Sequence, residues 1–132
     1  VKLCYSGKYS EKEMNTKILK EGGLFAYLGT KDAREAEKRM DEGDPYTRLV
    51  LEGLCYQVAK EIGAMATVLE GEVDQIVLTG GLAYSEFITR EIIRRVSFIS
   101  SVTVIPGEEE MEALALGALR VLNGEEQALT YK

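Results

Sequence analysis

The stretch VDQIVLTGGLAYS, residues 73–85, passes from a short apolar run to a glycine pair and then to a serine that opens a new pattern. Its first part lacks polar alternation, which predicts a strand over Val73–Leu78 covered on both faces, as in a parallel sheet. Behind Ser85, a residue type that caps helix starts, EFITREIIRRV (86–96) places Phe87, Ile88, Ile92 and Val96 at helical spacing. Upstream, Pro45 to Leu69 reads as the longest helix, with Leu51, Cys55, Val58, Ile62, Ala66 and Leu69 on one stripe and Gly71 as its stop. Downstream, SVTVIP (101–106) predicts a second strand, and GEEEMEALALGALRVLNG (107–124) a last helix carrying Met111, Leu114, Ala115, Ala118, Leu119 and Leu122. The order αβαβα over 45–124 predicts an α/β fold, a mainly parallel sheet with crossover helices.

Residues 1–44 read as a helical and loop subregion. Val1–Tyr5 is strand-like. A helix follows, capped by Ser10 with Glu13 three residues on and closed at Gly22 and Gly23. Leu24–Leu28 is expected to be extended or a turn, and a charged helix runs from about Asp32 to Glu42, ended by Gly43. Residues 125–132 read as a frayed polar end. The chain opens without methionine inside a strand-like run, so it is read as a piece of something longer.

At 132 residues the chain suits a single core. A net charge of −6 without Lys/Arg clusters argues against a nucleic-acid surface. Arg90, Arg94 and Arg95 are a modest basic group, read as a solvated face or dimer rim. Cys4 and Cys55, with no CxxC spacing and no histidine in the chain, argue against a zinc site or disulfide framework and are read as buried small apolar residues in a reducing cytoplasm. No apolar run approaches the ~18 residues that span a bilayer, so no membrane association is expected.

In open α/β sheets ligands sit beyond the carboxyl ends of the strands. Gly80 and Gly81 fall there, and bare glycine lets a ligand's flat face or phosphate touch the backbone. The alternative is a tight turn with positive φ. The GxxxxGK[ST] and GxGxxG phosphate loops are both absent, so a nucleotide site here is of another kind.

Three ordered stretches, GGLFAYLGTKDARE (22–35), AKEIGAMATVLEGEVDQIVLTGGLAYS (59–85) and VIPGEEEMEALALGALRVLNGE (104–125), together resemble the carboxyl-terminal portion of butyrate kinases. These belong to the acetate kinase group of the actin-like, sugar kinase and chaperone ATPase superfamily. The resemblance implies part of a ribonuclease H-like domain and reversible phosphoryl transfer between ATP and butanoate, giving ADP and butanoyl phosphate. It also implies Mg²⁺, a cytoplasmic location and a homo-oligomeric complete enzyme. Gly80, Gly81, Leu82 and Ala83 match the loop that covers adenine and ribose; the stretch is one residue shorter than the TAGIGENS pattern of acetate kinases, and Tyr84 falls near their acidic residue and Asn. Asp32, Ala33 and Arg34 match a stretch bordering adenine. Glu109 or Glu110 matches a glutamate associated with the nucleotide's magnesium, although carboxylates at a helix start also serve the helix dipole. The catalytic histidine and arginine and the acyl pocket of such enzymes are expected upstream, so no catalytic residue is assigned here and the chain alone is not expected to transfer phosphate. Acetate or propionate kinases, or a non-enzymatic α/β interaction or regulatory domain, are the alternatives.

Overall fold

The computed structural model describes residues 1–107 and 110–130. Its first helix, α1 (Glu11–Leu19), starts in a capping box: the Glu13 amide donates to Ser10 Oγ at 3.3 Å and the Ser10 amide to Glu13 Oε2 at 2.8 Å. It ends at Lys20, before the glycines expected to close it, and buries no residue. Val1–Tyr5 is a turn rather than a strand. A strand needs a neighbour for its backbone groups, and here the Tyr5 amide instead donates to the Val1 carbonyl at 3.2 Å.

Leu24–Leu28 is a one-turn helix, α2, where an extended or turn segment was expected. Gly29, at φ 70°, ends it by donating to the Phe25 carbonyl at 2.9 Å. Leu24 and Leu28, four apart and so on one face, pack on the core, and Arg39 Nη1 donates to the Leu28 carbonyl at 2.9 Å. Arg39 belongs to α3 (Ala33–Asp41), which is capped by Asp32 and buries Ala33 and Ala36.

The 24-residue α4 (Pro45–Val68) begins where Asp44 Oδ1 accepts from the Tyr46 and Thr47 amides, with proline at a position that needs no amide donor. The buried Thr47 hydroxyl is satisfied by Asp44 Oδ2 at 2.7 Å. Thr47, Leu51, Cys55 and Ala59 are its buried row, stepping by four. They face α5 (Glu86–Val96), whose Ile88, Ile92 and Val96 also step by four, so the two ridges interdigitate. The expected stripe therefore holds at Leu51 and Cys55, continues half-buried against the core at Val58 and Ile62, and leaves the core at Ala66 and Leu69. Ile62, Met65, Ala66 and Leu69 line an open apolar hollow of about 540 Å³ together with Val73 and Ile99.

Strand β1 is Ile76–Gly80 and β2 is Val102–Pro106; they run parallel, from Ile76 opposite Val102 to Gly80 opposite Pro106. The strand starts three residues later than expected, because Val73–Gln75 is held as a connection, with Ser100 Oγ donating to the Asp74 carbonyl at 3.0 Å. It is also covered on one face only. Ile76 and Leu78 meet the helical core, whereas Val77 is 53% exposed and Thr79 exposed. The continuous apolar run signalled two covered faces, but among the described residues the side carrying Val77 and Thr79 stays exposed. The last helix, α6 (Glu110–Leu122), buries nothing. Arg120 Nε and Asn123 Nδ2 tie Glu126 and Glu125 back to its end, and residues 127–130 have no regular structure.

Of the three arginines singled out on α5, two converge on one carboxylate: Arg94 and Arg95 donate to Glu91 Oε2 at 3.0 and 2.5 Å. Their hydrogen bonds hold the Glu91 carboxyl at about 2, below its ordinary 4.5. A depressed folded-state pKa contributes stability that is complete above the unfolded value and is lost as pH falls through the folded one. Glu91→Gln should therefore lower the thermal midpoint at neutral pH, and the gap from the parent should close between pH 4.5 and about 2. Thermal unfolding in pH steps measures it; a gap that stays constant across that window would remove Glu91 as the source.

Candidate functional site

β1 ends on Gly80 at φ 84°, a left-handed value that glycine adopts without strain. The chain then makes a single 3₁₀ turn, Gly81–Tyr84, before Ser85 caps α5 by accepting from the Ile88 amide at 2.9 Å. Gly81 has no positive φ, and a Cβ added to it would meet no described atom within 4 Å. The structure thus separates the pair. Gly80 is required by the backbone, whereas neither φ nor packing within the chain explains Gly81.

Gly81 and Leu82 face the start of α3 across a cleft of about 740 Å³, lined also by Lys31, Asp32, Ala33, Arg34, Glu37, Tyr84 and Ser85. The fold therefore brings together two segments that lie far apart in sequence, Asp32–Arg34 and the turn after β1. Leu82 is 46% exposed, an apolar surface available to a flat ring. Arg34 Nε and Nη2 hold Asp32 at 3.0 and 2.7 Å, and the Arg34 amide donates to the same carboxylate at 3.0 Å. These bonds keep the Asp32 carboxyl at about 2, ionised at neutral pH. Ala83 lies elsewhere: its side chain is buried beneath the turn and is not among the residues lining this cleft.

Gly80 lines a second, neighbouring hollow of about 490 Å³ at the carboxyl ends of both strands, with Thr79, Ile105, Pro106, Gly107, Glu110 and Ala113. Gly80 and Gly107 exchange backbone hydrogen bonds, 3.1 Å from the Gly80 amide and 3.3 Å from the Gly107 amide. Glu110 thus stands at the strand ends. Glu109, the other candidate metal ligand, and Glu108 lie outside the described residues. Among the described residues no cluster of three His, Cys, Asp or Glu is placed to hold a metal. One carboxylate beside the strand ends fits a Mg²⁺ held mainly by phosphate oxygens and water, and does not fit a metal cage built by the protein.

Lys31, Glu37 and Gly107 are lining residues that the sequence did not single out. Nothing in composition marks Lys31 or Glu37, but Glu37 stands four residues after Ala33 and so shares its helix face. Cys55 is excluded as a nucleophile: burial pushes its thiol up to about 11. No helix among the described residues is long and apolar enough to cross a membrane.

Parallel strands, a crossover helix and a cleft at the glycine-bearing end of β1 define an α/β domain with a candidate ligand cleft at the carboxyl ends of its strands. A propionate kinase from Francisella tularensis subsp. tularensis superposes on 78% of this chain, and 32% of its own, with a TM-score of 0.67 at 23% identity, which supports that fold. The family model of the Acetokinase family matches residues 3–116, and the chain belongs to that family. It is 56% identical over 131 residues to probable butyrate kinase 2 of Caldanaerobacter subterraneus subsp. tengcongensis and 50% identical over 132 residues to butyrate kinase 2 of Clostridium acetobutylicum. The matches take in 99% and 100% of this chain, which spans 37% of the length of either relative.

Proposed function

We propose that this chain is the adenosine-binding part of an ATP-dependent butyrate kinase, which transfers phosphate reversibly between ATP and butanoate to give ADP and butanoyl phosphate. The observation that carries this reading is Gly81: a glycine with ordinary φ and open space above it, at the carboxyl end of a strand, facing Asp32, Ala33 and Arg34 across the cleft. A side chain there would be tolerated by the chain but would stand in the cleft, against whatever binds in it. The identity of 50–56% to proteins named as butyrate kinases supports the same reading.

In this reading Gly81 and Leu82 lie against the flat base, Asp32 and Arg34 border the nucleoside, and the phosphates extend toward Gly80, Gly107 and the strand ends. Asp32 is already neutralised by Arg34, so it orients that guanidinium without adding an uncompensated charge to the cleft. Mg²⁺, when bound, neutralises phosphate charge, and Glu110 or Glu109 is the carboxylate offered to it directly or through water. The reading includes a cytoplasmic, homo-oligomeric enzyme. The charged groups that stabilise the transferring phosphoryl and the acyl pocket belong to other parts of such an enzyme.

The direct test is an assay of the protein at its full natural length with ATP, Mg²⁺ and acetate, propionate or butanoate, with acyl phosphate trapped as hydroxamate. Fastest turnover per KM on butanoate is expected; preference for a shorter acid would move the assignment to an acetate or propionate kinase, and no product from any acid would remove the kinase reading. The metal assignment has its own expected result. Glu110→Gln or Glu109→Gln should raise the Mg²⁺ concentration needed for half-maximal activity severalfold, with Glu108→Gln as the control. Identical Mg²⁺ curves for all three variants and the parent would leave these carboxylates as helix-start charges.

A further inference from the structure

Tyr84 stands between the two hollows at the end of β1. It closes the 3₁₀ turn, and the residue after it is tied on both sides: the Ser85 amide donates to the Leu82 carbonyl at 3.1 Å, and Ser85 Oγ accepts from the Ile88 amide at 2.9 Å. Its side chain is 71% exposed and lines the cleft beside Gly81 and Leu82. The hydroxyl at its tip lies over Gly107, a residue of the strand-end hollow, so close that a Cβ on Gly107 would come within 2.9 Å of the phenol oxygen. Tyr84 is thus anchored at its backbone and open to solvent at its ring. One side chain reaches from the cleft proposed for the nucleoside to the hollow proposed for its phosphates.

We propose that Tyr84 is a specificity-determining residue that reads the nucleotide's phosphates, its hydroxyl donating a hydrogen bond to a phosphate oxygen where the two hollows meet. This rests on the cleft being the adenosine site. A nucleotide with its base against Leu82 and its phosphates at the strand ends has to pass the phenol, and a phenol hydroxyl is a donor for which ionised phosphate oxygens are acceptors. Hydrogen bonds with an ionised partner are the strong kind, so the contact favours a nucleotide over the bare nucleoside. The place of the hydroxyl over Gly107, on the phosphate side, favours this role over stacking of the ring on the base.

The test is titration calorimetry on the protein at its full natural length with ATP, ADP, AMP and adenosine, the last by displacement of ADP so that weak binding is still measured. Tyr84→Phe removes only the hydroxyl, and Tyr84→Ala removes the ring as well. The residue is exposed, so neither change touches the core. Tyr84→Phe should weaken ATP about tenfold, the range for one hydrogen bond to a charged acceptor, and leave adenosine unchanged. The shortest nucleotide that shows the loss names the phosphate contacted. Unchanged ATP binding in Tyr84→Phe, or an equal loss on all four ligands, would overturn the proposal. If only Tyr84→Ala weakens binding, and adenosine as much as ATP, the ring stacks on the base and the hydroxyl has no such role. If the parent itself binds none of the four, the nucleotide reading of the cleft falls with it; if the parent binds and Tyr84→Phe matches it, only the role of Tyr84 falls.

Discussion

Replacing Gly81 by valine should raise KM for ATP at least ~tenfold, a loss of ~1.4 kcal/mol, while KM for butanoate changes little. The expected selectivity comes from the contrast within the glycine pair. At Gly81 the backbone has no positive φ and a Cβ would stand in open space, so the folded chain accommodates a side chain. Its fold cost is confined to the stiffness of a branched residue in a short 3₁₀ turn, a few tenths of a kcal/mol. The branched methyls would instead project into the cleft shared with Leu82 and Asp32, where the base or ribose is proposed to lie. Gly80→Ala should behave in the opposite way. Its backbone, at φ 84° and ψ −176°, strains any side chain by ~1–3 kcal/mol, so thermal stability should fall before nucleotide affinity does. Steady-state kinetics with each substrate varied in turn, alongside thermal unfolding of both variants, separates the two. A Gly81→Val enzyme with the parent's KM for ATP would return both glycines to a turn.

The sequence showed most where local chemistry and burial agree. Ser85 and the spacing of Phe87, Ile88, Ile92 and Val96 announced α5, and all four are buried. Ser10 with Glu13 announced α1 because a capping box is a purely local device. Leu24–Leu28 was illegible because five apolar residues fit a strand or a helical turn equally well; Gly23 and Gly29 at positive φ, with Leu24 and Leu28 both packed on the core, settle it as a turn of helix. The uncovered face of β1 was illegible for a different reason: Val77 is as apolar in sequence as Ile76, and only the tertiary arrangement leaves one at 53% and the other at 8% exposure. In the cleft, the sequence pointed to Gly81, Leu82 and Asp32–Arg34 through a family pattern, whereas their convergence is a property of the fold. Glu37 could not be read at all, since its place in the cleft lining exists only in three dimensions.

Gly107→Ala should cost ~1–3 kcal/mol of stability, the range for a side chain forced into a sparsely populated backbone conformation. Sequence placed Gly107 merely ahead of a helix, but an isolated antiparallel bridge just past the parallel register sets it beside Gly80, where the two glycines exchange backbone hydrogen bonds at 3.1 and 3.3 Å. Its φ is +107°, and an added Cβ would stand 2.9 Å from the Tyr84 hydroxyl oxygen. Two sources of cost are therefore present, and they respond differently to a second change. Tyr84 is 71% exposed, so its phenol can swing into solvent and relieve the contact at small expense. The backbone strain has no such escape, because releasing φ would break the paired bonds that join the ends of β1 and β2. A double-mutant cycle with Tyr84→Ala distinguishes them. The loss from Gly107→Ala should persist in the Tyr84→Ala background to within ~0.5 kcal/mol, as for sites that do not couple. If Tyr84→Ala restores the parent's stability instead, the phenol contact dominates, and the glycine is kept for the room it leaves the ring at the wall between the two hollows. If Gly107→Ala is neutral in both backgrounds, the Gly80–Gly107 pair is not what closes the strand ends.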